Sequence, residues 1–167
     1  VGDGPERQNL EKLIKDYEIT NVKILGWIKA EDQMSLQAFY ARADVYVAPS
    51  TWKEPFGLVI VEAMASKKAV VATHSGGITS IIKNEVNGLL VKTRDSKAIA
   101  DKVNLLLADE ELRKIMGNKA FETVKQKFTW EKMTDEYEKI YRKFRFTTKE
   151  YLHAVRELPK KHPTRYK

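Results

Sequence analysis

The sequence predicts an α/β fold, a doubly wound parallel sheet followed by a helical C-terminal segment. Three observations carry this reading. Apolar runs of strand length recur at 22–28, 45–48, 69–72 and 87–91. Stretches with apolar residues at helical spacing separate them, the alternation expected of β-α-β units. And Ala69-Val70-Val71-Ala72 is apolar at every position, as a parallel strand covered on both faces must be.

Taken in order, Val1-Gly2-Asp3-Gly4-Pro5 reads as a strand end and a tight turn, with Pro5 starting a helix. Leu10, Leu13, Ile14 and Tyr17 then fall on one helical face. Residues 22–28 read as the next strand. Met34, Leu36, Phe39, Tyr40 and Ala43 mark a helix starting near Glu31-Asp32. Val45-Tyr46-Val47-Ala48 is a strand stopped by Pro49, and an apolar helix follows from Gly57. Beyond residue 91, helices are expected over Ser96–Ala108, Glu110–Lys127 and, capped by Thr129, from Trp130 to about Phe144. The last residues, around Leu158-Pro159-Lys160, read as a frayed or extended end.

At 167 residues the chain is long enough for one domain with a sizeable core. It has no cysteine, which excludes disulfides and thiolate metal sites. No run of about 18 apolar residues is present to span a membrane. The default expectation is a cytoplasmic protein. The net charge is +7, but residues 145–167 hold seven Lys/Arg against two Asp/Glu. The remainder, with 23 basic and 21 acidic residues, gives no case for nucleic-acid binding. The basic tail is the part able to make peripheral contact with the inner face of an anionic membrane; a solvated charge run is the commoner meaning of such a segment.

The stretch with chemical content is Glu54-Pro55-Phe56-Gly57-Leu58-Val59-Ile60-Val61-Glu62. Pro55 and Gly57 suit a helix start, and from Gly57 to Ala65 only Glu62 is polar. Such a helix is expected to be buried, and a buried carboxylate needs a specific partner. At about 1.5 Å rise per residue, Glu54 and Glu62 fall about 10 Å apart. Between them lie the main-chain N–H groups of Phe56, Gly57 and Leu58 at the positive end of the helix, a natural anion site. Carboxylate, anion cradle and carboxylate in line would fit the hexose, pyrophosphate and ribose of a nucleotide sugar. A core ion pair between Glu62 and a Lys or Arg accounts for the same residues equally well. His74, a lone loop histidine, is read as incidental.

Glu54 and Glu62 with Pro55-Phe56-Gly57-Leu58 resemble the E-x7-E motif of family-4 (group 1) retaining glycosyltransferases of the GT-B fold. Gly2-Asp3-Gly4-Pro5-Glu6-Arg7, Val22-Lys23-Ile24-Leu25-Gly26-Trp27-Ile28, Ala43-Asp44-Val45-Tyr46-Val47-Ala48-Pro49-Ser50, Ala69-Val70-Val71-Ala72-Thr73, Gly76-Gly77-Ile78 and Asn87-Gly88-Leu89-Leu90-Val91 are similar to that family, in its order. One departure is Thr79-Ser80, where the family often has Pro-Glu. The likeness covers roughly residues 1–144 and implies a Rossmann-like, nucleotide-sugar-binding half of a GT-B fold, with 145–167 as a basic tail.

The resemblance implies hexosyl transfer with retention from a nucleoside diphosphate sugar, in polysaccharide or glycolipid biosynthesis. Glu54 is then the catalytic candidate. The donor-binding candidates are Gly2, Gly4, Trp27, Ile28, Ser50, Glu54, Phe56, Gly57, Leu58 and Glu62, with Trp27 and Ile28 reading the base through their main chain. Glycines 76 and 77 are expected to permit close approach of a ligand. No cofactor and no metal are expected, and the acceptor is a polysaccharide, lipid or small molecule. The family's second domain opens with a strand, a helix and another strand that supply an Arg and a Lys to the diphosphate. These have no counterpart here, so a longer polypeptide with an N-terminal domain is expected. Alternatives are a glycogen/starch-type synthase, a sugar nucleotide epimerase of the same fold, or a non-catalytic sugar-nucleotide-binding module.

Overall fold

Five consecutive buried residues, Ala69–Thr73, form the middle strand of the sheet. The computed structural model describes residues 1–28 and 33–143. The chain divides into two units, Val1–Lys125 and Gln126–Lys167. In the first, the order is α1 (Arg7–Asp16), α2 (Gln33–Arg42), β1 (Val45–Ala48), α3 (Leu58–Ala65), β2 (Ala69–Thr73), α4 (Ile78–Ile81), β3 (Leu89–Val91), α5 (Ser96–Ala108) and α6 (Glu110–Lys127). Strand β2 pairs in parallel with β1 and β3, Val45 lying opposite Ala69 and Val71 opposite Leu89.

Alternation along β2 sends Ala69 and Val71 to one face and Val70 and Ala72 to the other. The first face closes over Leu106 and Met116, which cluster with Leu89 and Val91. Strand β2 also contacts α3, whose Ile60, Ala63 and Met64 are buried. Both faces of the sheet are thus covered, and the predicted α/β architecture is found. Capping fixes the ends of the packing helices: Asp95 Oδ1 accepts from Ala98 N at 2.9 Å, and Asp109 Oδ1 from Leu112 N at 2.8 Å.

Residues 22–28 correct the expectation of a strand. They make a single isolated bridge, Gly2 to Gly26, with Gly2 N donating to Gly26 O at 2.7 Å. A strand exists only where a ladder satisfies its backbone, and hydrophobicity alone does not supply one. Val22, Leu25 and Trp27 accordingly lie exposed. In residues 1–5 the strand character is likewise limited to Gly2, the other half of that bridge, and a turn at Pro5 and Glu6 leads into α1. The expected start of α2 at Glu31-Asp32, the end of the last helix at Phe144, and the basic tail lie outside the described residues.

The second unit contains α7 (Trp130–Lys143). Its N-terminus is capped as expected, Lys132 N donating to Thr129 Oγ1 at 3.3 Å. Trp130, Met133, Tyr137 and Ile140 form an exposed apolar stripe along it. Among the described residues no helix is long and apolar enough to cross a membrane.

Gly117 of α6 lies against the turn that feeds β2. A Cβ there would stand 2.2 Å from Lys67 O, a backbone atom that cannot yield without moving the turn. Gly117→Ala is expected to destabilise the fold by about 2–3 kcal/mol, lowering Tm by roughly 5–10 °C. A melting curve superimposable on wild type contradicts this placement of α6.

Candidate functional site

The loops after β1 and β2 are fastened together. Thr73 Oγ1 donates to Ser50 O at 2.7 Å, Ser75 Oγ to Trp52 O at 2.7 Å, and Gly77 N to Glu54 O at 2.7 Å. Alternate residues of one segment, 50, 52 and 54, thus meet alternate residues of the other, 73, 75 and 77. The contacts extend the parallel pairing of β1 and β2 past the strand ends, with hydroxyls standing in for two of the donors.

Glycine makes the approach feasible. A Cβ on Gly76 would lie 2.3 Å from Glu54 O, and one on Gly77 2.3 Å from Pro55 O and 2.8 Å from Phe56 Cα. Gly76 is also at φ +52°, where a side chain is strained. At these glycines the 54–56 backbone itself makes a close approach. Glu54 is half-buried at the carboxyl end of β1, where open α/β sheets bind their ligands.

Helix α3 starts one step later than Pro55 and Gly57 suggested. Gly57, at φ +107°, is its N-cap, and Leu58 its first residue. Ile60 N donates to Gly57 O at 2.9 Å, so the first-turn amides not used in this way begin at Leu58.

Glu62 departs from the expected burial. It is exposed because only the Ile60–Ala63–Met64 face of α3 meets the core, and Leu58 remains 68% and Val59 47% accessible. No cation pairs with it among the described residues, which removes the core ion pair as its explanation. Its partner is Tyr40 of α2, whose hydroxyl donates to Glu62 Oε2 at 2.8 Å. Tyr40 is 9% accessible, and its ring stands 5.7 Å from that of Tyr46 of β1, tilted by 51°. Burial, then the bond to Glu62, pushes the Tyr40 phenol well above its ordinary range. Tyr46 is pushed up by burial and by the charges of Glu62 and Glu54, so it lies in the field of both carboxylates. A cleft of about 600 Å³ opens beside Glu62, lined by Leu36, Tyr40, Ser66 and Lys68 among others.

Gly2, Gly4, Trp27 and Ile28 gather around a different contact, the Gly2–Gly26 bridge. Asp3 holds this turn, accepting from Gly4 N at 2.8 Å and pairing with Arg7 at 2.8 Å. Those donors keep its carboxyl below the usual carboxylate range. A Cβ on Gly2 or Gly4 would meet open space, and Trp27 is 76% exposed.

Sequence reasoning assigned no role in the site to Tyr40 or Thr73, while Ser75 was expected to line the same cleft as Ser50–Gly57. Signals existed: a buried hydroxyl must find an acceptor, and Tyr40 and Thr73 both sit in otherwise apolar runs.

A family model described as glycosyl transferases group 1 matches residues 1–123. N-acetyl-alpha-D-glucosaminyl L-malate synthase of Bacillus anthracis is 38% identical over 142 residues, covering 84% of this chain and 36% of that protein. The lipopolysaccharide core biosynthesis glycosyltransferase LpsE of Rhizobium meliloti is 36% identical over 138 residues, covering 82% and 39%. Among solved structures, Anabaena HepE in complex with UDP superposes with a TM-score of 0.77 at 28% identity, over 86% of this chain and 40% of that one. The same protein is also known in complex with UDP-glucose. The chain thus spans well under half the length of these proteins.

The fastened loops generate a prediction. Gly77→Ala is expected to cost about 3 kcal/mol, since backbone must shift to admit the methyl. Ser75→Ala, which loses one exposed hydrogen bond, is expected to cost about 0.5–1.5 kcal/mol. Amide hydrogen exchange at 54–58 should accelerate at least tenfold in Gly77→Ala, roughly 1.4 kcal/mol of local opening. Unchanged exchange there contradicts the fastening.

Proposed function

The chain belongs to the group 1 glycosyl transferases, and we propose that it forms the donor-binding part of a retaining enzyme that moves a hexose from a nucleoside diphosphate sugar to an acceptor. The observation that carries this reading is the state of Glu62. It is an exposed carboxylate on an otherwise apolar helix, held by a phenol and unpaired with any described cation, beside an open cleft. A carboxylate kept in that state suits an acceptor for ligand hydroxyls.

In this reading Glu62 takes the ribose hydroxyls and Glu54 the sugar hydroxyls near the reacting carbon. The amides of Phe56, Gly57 and Leu58, at the start of α3, face the diphosphate. Their role counts most as the glycosidic bond breaks and charge accumulates on the departing diphosphate. The Gly2–Gly4 turn and the main chain of Trp27 and Ile28 face the base. No step of this chemistry calls for a divalent metal. The acceptor is a polysaccharide, lipid or small molecule. The complexes of HepE with UDP and UDP-glucose support a sugar nucleotide as the donor class. The relative LpsE supports polysaccharide or glycolipid synthesis as the setting, and the L-malate synthase a small-molecule acceptor.

Two substitutions in the full-length protein test the assignment. Glu54→Gln is expected to lower kcat about a hundredfold or more while nucleotide Kd stays within about twofold. Glu62→Gln is expected to raise nucleotide Kd about tenfold or more, the loss of charge-assisted hydrogen bonds. Normal activity and affinity in both variants refute the proposal. A thermal-shift panel of UDP, GDP and ADP sugars identifies the base, since a ligand at a hundred times its Kd stabilises by about 2.7 kcal/mol.

A further inference from the structure

The geometry points to Tyr40 as a positioning residue for the donor: its hydroxyl fixes the Glu62 carboxylate so that one oxygen is held by the protein and the other is presented to the vicinal hydroxyls of the ribose. This inference rests on Glu62 being the ribose contact.

Three features of the site support it. Glu62 is exposed on α3, and a free glutamate side chain there would rotate among several rotamers, an entropy that binding would have to remove. The Tyr40 hydroxyl removes that freedom in advance, at 2.8 Å from Oε2. Of the two oxygens it reaches across to α3, Glu62 Oε2 is the closer acceptor, since Val59 O is 3.4 Å away. Tyr40 itself cannot wander: it is buried in α2 and its ring meets Tyr46 of β1. The orientation of Glu62 is therefore anchored in α2 and β1 as well as in α3.

The arrangement also explains why a hydroxyl, not a cation, holds the carboxylate. A lysine or arginine at this place would neutralise Glu62 and compete with ligand hydroxyls for both oxygens. A neutral phenol donates one hydrogen bond and leaves the negative charge in place. Burial and the neighbouring carboxylate both keep the Tyr40 proton on the phenol, so the donor persists across the working pH range.

The test is a double-mutant cycle in the full-length protein, with calorimetric Kd for UDP, GDP and ADP as the first readout. Tyr40→Phe keeps the ring and its packing and removes only the hydroxyl. Its Kd for the preferred nucleotide is expected to rise about fivefold to tenfold, with kcat at saturating donor within about twofold of wild type. In a Glu62→Ala background the same substitution is expected to change Kd by less than about twofold, since the acceptor it acts through is already gone. If Tyr40→Phe binds as tightly as wild type, or weakens binding equally in both backgrounds, the positioning role is wrong while the donor site stands. If Glu62→Ala itself leaves Kd unchanged, the donor-site reading fails first. Should Tyr40→Phe not fold, Glu62→Asp at an exposed helix position withdraws the carboxylate from Tyr40 without touching the core. It is expected to show at least the same loss, and wild-type affinity in Glu62→Asp overturns the inference.

Discussion

The structure turns on how closely two loops approach at the carboxyl ends of β1 and β2. Three hydrogen bonds of 2.7 Å at alternate residues bind 50, 52 and 54 to 73, 75 and 77. Gly76 and Gly77 are the condition for it, because any side chain at either would collide with the 54–55 backbone. The turn so fixed delivers the chain to Gly57, whose left-handed conformation starts α3. The direction of α3, the place of Glu54 before it and that of Glu62 within it thus follow from one backbone contact. Removing a hydroxyl from this contact loses one bond; enlarging a glycine moves the whole turn.

The same helix shows a division of labour. One face, Ile60, Ala63 and Met64, is buried and anchors α3 against β2. The other carries Leu58, Val59 and Glu62 outward. Stability is drawn from the first face, so the second is free to hold a charge that the core would reject. Tyr40 joins the two roles, with a ring among buried residues and a hydroxyl at the edge of the cleft. Amphipathic side chains of this kind are well suited to such borders.

Much of the fold was legible in the residues. The run Ala69–Thr73 is apolar throughout because both faces are covered, and that burial is what the structure shows. Strand β1, strand β3 and helices α5 and α6 stand where their patterns put them. Residues 22–28 misled because an apolar stretch states a preference for a ladder and does not provide the neighbour. Glu62 was expected to be buried because its neighbours are apolar, yet Leu58, Val59 and Ala65 among them are themselves exposed. Hydrophobicity reports what a residue favours, and the surrounding elements decide whether it is met. The Tyr40–Glu62 bond spans 22 residues and two helices, and no local pattern encodes a contact of that kind. Gly76 and Gly77 were legible as positions of close approach, but the sequence could not say that the 54–56 backbone would be among the approaching groups.

The most direct measurement of the central claim compares the affinity of the full-length protein for a ribonucleoside diphosphate and for its 2′-deoxy counterpart. If Glu62 accepts the ribose hydroxyls, the ribonucleotide binds about tenfold or more tightly, and the preference collapses in Glu62→Gln. Equal affinity for the two nucleotides in the wild-type protein would contradict the account.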